Sequence, residues 1–439
     1  MNRVAVLCVL LLALLTGQLT LAQGCLPEQE PNDSPVEANP RTDSGISGHL
    51  SSGDQDAFSW SLSEEDSRRP WQLELTSVRS QLTNLDVFRV EFTDDGSGVL
   101  GYDTLLQLTS PDGRLVTSEP RLFPPGDYTL GLSVSGGEGS YTVALLPGEP
   151  LRDFRNDQTA VLEMTAGFNH SGFLSGQQQF DWTIPAELAD HLWHLELDAA
   201  VGETPTLSVH GPDGSVLQSA TASGGGAGLS SLGLGEGVYR LEVRSDSGII
   251  APYAVRATSQ GARTAGQELE PNDSLEQANA LTFGEELRGT LASGGDTDFF
   301  RFSVDEEQST RLLELQTGTD EELQVCLLDE HGRDLQCRRG AGARLSDLLL
   351  QPGVYGVAIN PSDRERDIDY ALLLRDAGEP DPLRPTEPND RFDQAFPLPE
   401  QLGVRGELVG AETDFVSVEI TGEPQLWRMQ VNGTGVGEL

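Results

Sequence analysis

Hydrophobic and polar residues alternate along short runs of this chain, and the runs themselves recur. In "WQLELTS", Trp71, Leu73 and Leu75 share one face while Gln72, Glu74 and Thr76 share the other, the period-two pattern of a half-buried strand. The pattern returns as "WHLELDA", "RLLELQT" and, more loosely, "LWRMQV". Other segments keep step with it. A Gly-x-Leu stretch comes first (Gly48-His49-Leu50, Gly172-Phe173-Leu174, Gly289-Thr290-Leu291, Gly406-Glu407-Leu408), followed by an aromatic strand: "DAFSW", "QFDW", "DFFRF" or "DFVSV". Next come "LQLTSPDGRLVTS", "LSVHGPDGSVLQS" and "VCLLDEHGRDLQC", where Asp112-Gly113 and Asp213-Gly214 are two-residue turn signals that predict hairpins. Each complete unit closes on two tyrosine strands, Tyr128 then Tyr141, Tyr239 then Tyr253, Tyr355 then Tyr370.

Many short strands, 49 glycines, 25 prolines and almost no helical periodicity predict an all-β chain with one sandwich per unit. The units are residues 28–148, 150–260 (a degenerate copy), 266–378 and an incomplete one at 385–439, separated by proline- and acid-rich joints. The fourth lacks the hairpin and the tyrosine strands. Half a sandwich leaves its sheet faces uncovered, so the chain reads as the N-terminal part of a longer protein.

The first, third and fourth units open on Glu-Pro-Asn-Asp, around Asn32, Asn272 and Asn389; the second has only Asn156-Asp157. These asparagines lie about 120 residues apart, the period of a whole domain. One reading is a recurring capped turn, since Ser34-x-x-Glu37 and Ser274-x-x-Gln277 are capping-box patterns. The other is a calcium site, because calcium takes several hard oxygen ligands. The first unit offers Glu28, Glu30, Asn32 and Asp33, joined from the next element by Asp54 and Asp56. The third offers Glu268, Glu270, Asn272, Asp273, Asp296 and Asp298 at nearly the same spacing. In the second unit Gln177, Gln178 and Gln179 stand near the acid pair's place and no metal is expected. The fourth has Pro385 for the outer glutamate and keeps Glu387, Asn389, Asp390, Glu412 and Asp414, a poorer set. Capping explains Asn-Asp-Ser but not why the unit without Glu-Pro also lacks the downstream acids. Both readings stay open, and they are compatible.

These residues resemble the bacterial pre-peptidase C-terminal (PPC) domain family. Its members open with Glu-Pro-Asn-Asp/Asn, carry an Asp-x-Asp-aromatic segment and end in Gly-x-Tyr and Tyr-x-Leu-x-Val strands. The likeness covers residues 28–147 and 268–376, part of 385–439, and 150–258 in degenerate form. It implies tandem jelly-roll-like β-sandwich domains, noncatalytic, on secreted bacterial proteins that often carry metallo- or serine peptidases. Some such modules bind a protein polymer, as the collagen-binding domains of clostridial collagenases do, and some bind calcium through the N-terminal segment.

Charge narrows the partners. At a net −42 and a pI near 4.2, nucleic acid and anionic membrane surfaces are excluded as favourable partners. Every one of the 28 basic residues is arginine; a lysine-free acidic surface suits an extracytoplasmic or salty setting, and GC-rich codon usage is the plainer explanation. Residues 1–24 read as a secretory signal peptide, with Arg3, an apolar run from Val4 to Leu15, and Ala22-Gln23-Gly24 as the cleavage site. The mature protein is then periplasmic, cell-surface or secreted. Cys25 follows the cleavage point and is a candidate for lipidation, its only route to a membrane, although Leu21-Ala22-Gln23-Gly24 matches a bacterial lipobox loosely. A turn at His331-Gly332 sets Cys326 opposite Cys337, which predicts a cross-strand disulfide, with two separately buried thiols as the alternative.

No nucleophile elbow and no zinc-protease helix is written in the chain. His191 and His194 lie three apart on a predicted strand and face opposite ways, so they read as surface or edge histidines. The expected function is a noncatalytic exported array of modules, calcium-stabilised spacers or binders of an extracellular protein or polysaccharide polymer. The alternatives are the accessory region of a secreted peptidase with its catalytic domain beyond residue 439, and a lipid-anchored adhesin or scaffold.

Overall fold

The computed structural model describes residues 26–40, 45–80, 82–111, 113–155, 161–293, 295–362, 366–400, 403–408, 413–423 and 426–433. The signal segment, Cys25, Asp112, Asn156-Asp157 and Glu412 lie outside the described residues. Within them the chain is all-β, its only helices being single 3-10 turns such as Asp66–Arg68. No helix there is long and apolar enough to cross a membrane.

Three successive stretches each build two sheets. In the first, one sheet runs in the order Leu26–Pro27, Ile46–Leu50, Gly137–Pro147, Trp71–Ser80, Leu115–Thr117. The other runs Asn39–Pro40, Gln55–Leu62, Gly126–Val134, Leu82–Phe92, Val99–Pro111. The second stretch repeats this order across residues 154–262, and the third across 279–378 with one sheet of four strands. The long ladders are antiparallel; only entry strands such as Asn39–Pro40 and Leu162–Thr165 pair in parallel. In the fourth, the described pairing is Phe396–Pro397 with Val416–Ser417.

The alternation seen in the sequence sets the core. Trp71, Leu73 and Leu75 point inward from one sheet and meet Phe58, Trp60, Leu85 and Leu130 from the other. In the second stretch Trp182 and Trp193 touch edge to face across the two sheets at 5.2 Å. In the third, Phe300 and Phe302 pack with Leu313 and Leu315. Beyond Phe415, Val416, Ile420, Trp427 and Met429 stay exposed.

The two tyrosine landmarks do different work. Tyr128, Tyr239 and Tyr355 each donate a hydroxyl hydrogen bond to the carbonyl four residues earlier, at 2.6, 3.2 and 3.0 Å, pinning the corner before their strand. Tyr141, Tyr253 and Tyr370 point toward the openings of the units, described below.

Three sequence expectations change. "LQLTSPDGRLVTS" is not a hairpin: Val99–Pro111 belongs to one sheet and Leu115–Thr117 to the other. Asp213-Gly214 and His331-Gly332 sit in wider loops, in which Gly211 N–H bonds the Ser215 carbonyl at 2.8 Å and Asp329 N–H the Arg333 carbonyl at 2.9 Å, and not in two-residue turns. His191 and His194 are not on an edge; their strand, His191–Ala199, lies between Ala251–Ala262 and Gly226–Gly233. His191 Nδ1 is 2.6 Å from Ser259 Oγ, and His194 Nε2 is 3.6 Å from Asp367.

Cys326 and Cys337 stand directly opposite in their ladder and are joined as a disulfide, with Cα atoms 4.1 Å apart. Closing so short a loop is worth about 3 kcal/mol on the chain-entropy picture. The double substitution of Cys326 and Cys337 to serine should lower stability by that order in urea unfolding, with the change confined to the transition that includes the third unit.

Candidate metal centre

The opening motif is built the same way three times. The peptide bonds Glu30-Pro31, Glu270-Pro271 and Glu387-Pro388 are all cis, and each glutamate side chain turns back to accept the N–H of the asparagine two residues on. The asparagine carbonyl in turn accepts an N–H at the start of the aromatic strand, from Ala57, Phe299 or Phe415, at 2.8, 3.0 and 3.0 Å. These bonds lay the motif against the Asp-x-Asp segment. A later asparagine closes the loop: Asn39 bonds both backbone groups of Gln29 at 2.6 and 2.8 Å, and Asn279 does the same to Leu269 at 2.5 and 2.8 Å. Ser34 Oγ donates to the Glu37 carboxylate and Ser274 Oγ to the Gln277 amide oxygen, each closing a turn with no helix behind it. The capping-box expectation is corrected accordingly, because the serine bonds its partner's side chain and not a helix amide.

In the third unit, oxygens of Glu268, Glu270 and Asp298 lie within 4.8 Å of one another, and all three residues are buried. Asp273 and Asp296 lie beside Glu270, close enough for their charges to raise it, and Asp296 Oδ2 accepts the Ala292 N–H at 2.8 Å. Tyr370 contacts Glu268 Oε2 at 3.0 Å and Asp298 Oδ2 at 2.5 Å. One phenol proton cannot serve two carboxylates. Glu270 Oε1, Asp298 Oδ1 and Asn272 Nδ2 have no hydrogen-bond partner although buried. Among the described residues no arginine or histidine pairs with any of the five acids. Burial therefore pushes Glu270 up to about 9, helped by the Asp296 and Glu268 charges, and Asp296 up to about 8. Asp298, Glu268 and Asp273 rise for the same first cause.

Space for this cluster comes from glycine. A Cβ on Gly289 would stand 2.2 Å from Glu268 Oε2 and 2.4 Å from the Tyr370 hydroxyl; Gly48 is as tight against Glu28 and Tyr141, at 2.0 and 2.2 Å. The Gly-x-Leu and final-tyrosine landmarks of the sequence are thus two walls of one pocket.

The first unit splits its six expected ligands. Glu30, Asp33 and Asp54 come together within 4.8 Å at a more open face. Glu28 and Asp56 lie deeper and share the Tyr141 hydroxyl, at 2.9 and 2.6 Å, with Asp56 pushed up to about 8 by burial and by Glu28. The Asn32 side-chain amide nitrogen donates to Glu30 Oε2 and Asp56 Oδ1, at 2.9 and 3.2 Å.

The second unit replaces the acids with a neutral set. Gln178 takes the register position of Asp56 and Asp298, and Tyr253 bonds buried His170 at 3.1 Å. Burial and the nearby Arg155 hold His170 down at about 4, so it is neutral. In the fourth unit Arg338 lies 3.6 Å from Asp390, a built-in positive charge, while burial raises Glu387 to about 7.

The donors offered by the first and third units are carboxylate and amide oxygens without thiolate or imidazole, a set suited to calcium or magnesium over zinc or copper. Three buried carboxylates, Glu268, Glu270 and Asp298, without a counter-charge among the described residues must otherwise hold protons. The unpartnered oxygens of Glu270 and Asp298 fit a bound cation, which Glu268, Glu270 and Asp298 would hold. The sequence had named these acids; it did not give a role to Tyr141, Tyr370, Gly48, Gly289 or the loop-closing Asn39 and Asn279, although their recurrence in register was the signal.

No known family profile matches the chain, and no curated protein matches it by sequence. Among solved structures it is similar to the PBSX exported protein XepA, at 10% identity and a TM-score of 0.20, covering 48% of this chain and 85% of that one. It is also similar to tripeptidyl peptidase 2, at 8% identity and a TM-score of 0.21, covering 75% of this chain and 22% of that one. Likenesses this faint define neither fold family nor function.

Proposed function

We propose that the chain is an exported, noncatalytic array of jelly-roll-like β-sandwich modules of the PPC kind, stiffened by calcium and serving as a spacer. Paired antiparallel sheets around one core per unit support the sandwich over a β-helix, whose stacked coils pair their strands in parallel. The recurring Glu-Pro-Asn-Asp, Asp-x-Asp and tyrosine strands support the family. The observation that carries the calcium reading is the third unit's trio of buried carboxylates, Glu268, Glu270 and Asp298, two of them with unpartnered oxygens and none with a basic partner among the described residues.

The test is thermal unfolding of the whole chain in chelator, in about 10 mM magnesium and in about 10 mM calcium, since extracellular sites of this kind bind at roughly 10⁻⁴–10⁻³ M. Calcium should raise the melting temperature well beyond magnesium. Identical curves in calcium and chelator would end the calcium reading.

A polymer-binding role is favoured by one feature. The first unit's hairpin, Leu82–Phe92 with Val99–Pro111, is longer than its counterparts and exposes Leu100 and Tyr102, the latter packed edge to face on Phe88 at 5.1 Å. If it binds a polymer, Tyr102→Ala should abolish retention on an insoluble collagen or cellulose column without moving the melting temperature. Equal retention of variant and parent would remove this role from the hairpin.

A further inference from the structure

The third unit's acid cluster is closed from outside by the second unit. Gln218, on the strand Val216–Thr221, is only 5% exposed; its Nε2 donates to Glu270 Oε2 at 3.0 Å, it also contacts Asp273, and its Oε1 has no partner. Ser231 sits at a bulge with a φ of 54°. Its carbonyl accepts the Glu270 N–H at 3.0 Å and its hydroxyl donates to Glu268 Oε1 at 2.8 Å.

The next junction repeats the arrangement. Gln336 occupies the position in the third unit that Gln218 has in the second, opposite Leu327 as Gln218 is opposite Val209. It too is buried, with Oε1 unpartnered. Asp347, at a φ of 58°, offers its carbonyl to the Glu387 N–H at 2.8 Å, as Ser231 does to Glu270. The first unit differs. Its matching position, opposite Val87, is Leu106, and the described residues of its strand Leu115–Thr117 include none at positive φ. The unit that follows it is the one without the acids. A buried glutamine and a left-handed residue therefore appear where the next unit carries Glu-Pro-Asn-Asp, and on a different unit from the acids themselves.

We propose that the cation at Glu268, Glu270 and Asp298 is shared between units, with the Gln218 amide oxygen as a ligand from the preceding module, so that a divalent cation clamps the second unit to the third. This rests on the calcium reading above. The first unit's open trio, Glu30, Asp33 and Asp54, is a site of one module alone.

The experiment uses the whole chain with the first site silenced (Glu30→Gln with Asp54→Asn), read by terbium luminescence sensitised by the adjacent tyrosine and by calorimetric unfolding with and without calcium. With Gln218 intact, terbium binds, calcium displaces it, and calcium merges the unfolding of the second and third units into one transition. Gln218→Leu, the side chain the first unit carries there, should weaken binding about tenfold and leave the two transitions separate in calcium. Ser231→Gly keeps the left-handed backbone and removes the CH2OH group with its hydroxyl; it serves if Gln218→Leu does not fold, and should weaken binding and coupling in the same direction. Terbium binding unchanged in a folded Gln218→Leu or Ser231→Gly variant, with coupling intact, overturns the clamp while leaving the calcium site standing. No terbium binding to the parent overturns both.

Discussion

In chelator, the chain should lose stability steadily as pH rises from about 5 to 9, and calcium should restore it at the alkaline end while doing little at pH 5. The reason lies in the direction of the shifts. Glu270 rises from its ordinary 4.5 to about 9, and Asp296 from 3.8 to about 8, both first through burial. A carboxyl raised in the folded state holds a proton there that the unfolded chain has already released. Its contribution is complete below about pH 4 and is lost as pH climbs through 8 to 9. Asp56 in the first unit, raised to about 8, adds in the same sense. A bound cation replaces the protons, so binding should release protons and remove the alkaline loss. At a hundred times its Kd, calcium would add about 2.7 kcal/mol. Scanning calorimetry between pH 5 and 9, in chelator and in calcium, checks this. Stability that is flat with pH in chelator would show that these carboxylates are not held as described.

Gly289→Ala should be among the most damaging single substitutions in the third unit. Its Cβ would fall 2.2 Å from Glu268 Oε2 and 2.4 Å from the Tyr370 hydroxyl, and neither group has room to retreat, since both are buried. Overpacking of this kind costs about 1–3 kcal/mol, and the displaced glutamate should also abolish cation binding by the third unit. Gly318→Ala is the matched control, because its Cβ would meet Ala371 at an ordinary 3.4 Å. Urea midpoints and calcium titrations of the two variants should therefore diverge. Equal behaviour would mean that the pocket wall at Gly289 is not needed.

Much of this was legible along the chain, for reasons that differ residue by residue. Trp71, Leu73 and Leu75 announced their strand because alternation and burial are local signals; Cys326 does stand opposite Cys337, but through a wider loop and a register shift between Leu327 and Leu328 that turn chemistry alone did not show. That Val99–Pro111 and Leu115–Thr117 part to different sheets was not legible. Turn chemistry fixes a reversal of the chain, but whether the strand after it rejoins the same sheet depends on partners far away, here Trp71–Ser80. The acids of the two intact copies were visible as a set, yet their unlike burial was not. Glu270 is covered because Gln218 and Ser231 of the preceding unit close over its side of the pocket, whereas Glu30 has no such cover among the described residues. Tyr141 and Tyr370 were visible as repeats, but only folding brings them from the last strand to the first loop.

Calcium stoichiometry of the intact chain, counted by native mass spectrometry after equilibration in millimolar calcium at pH 8, is the most direct measurement. One ion held by the first unit and one by the third are expected, with the ion of the third lost in the double variant Glu270→Gln with Asp298→Asn. A chain that retains no calcium, or that keeps its full complement after both substitutions, would contradict the assignment of these acids as a cation site.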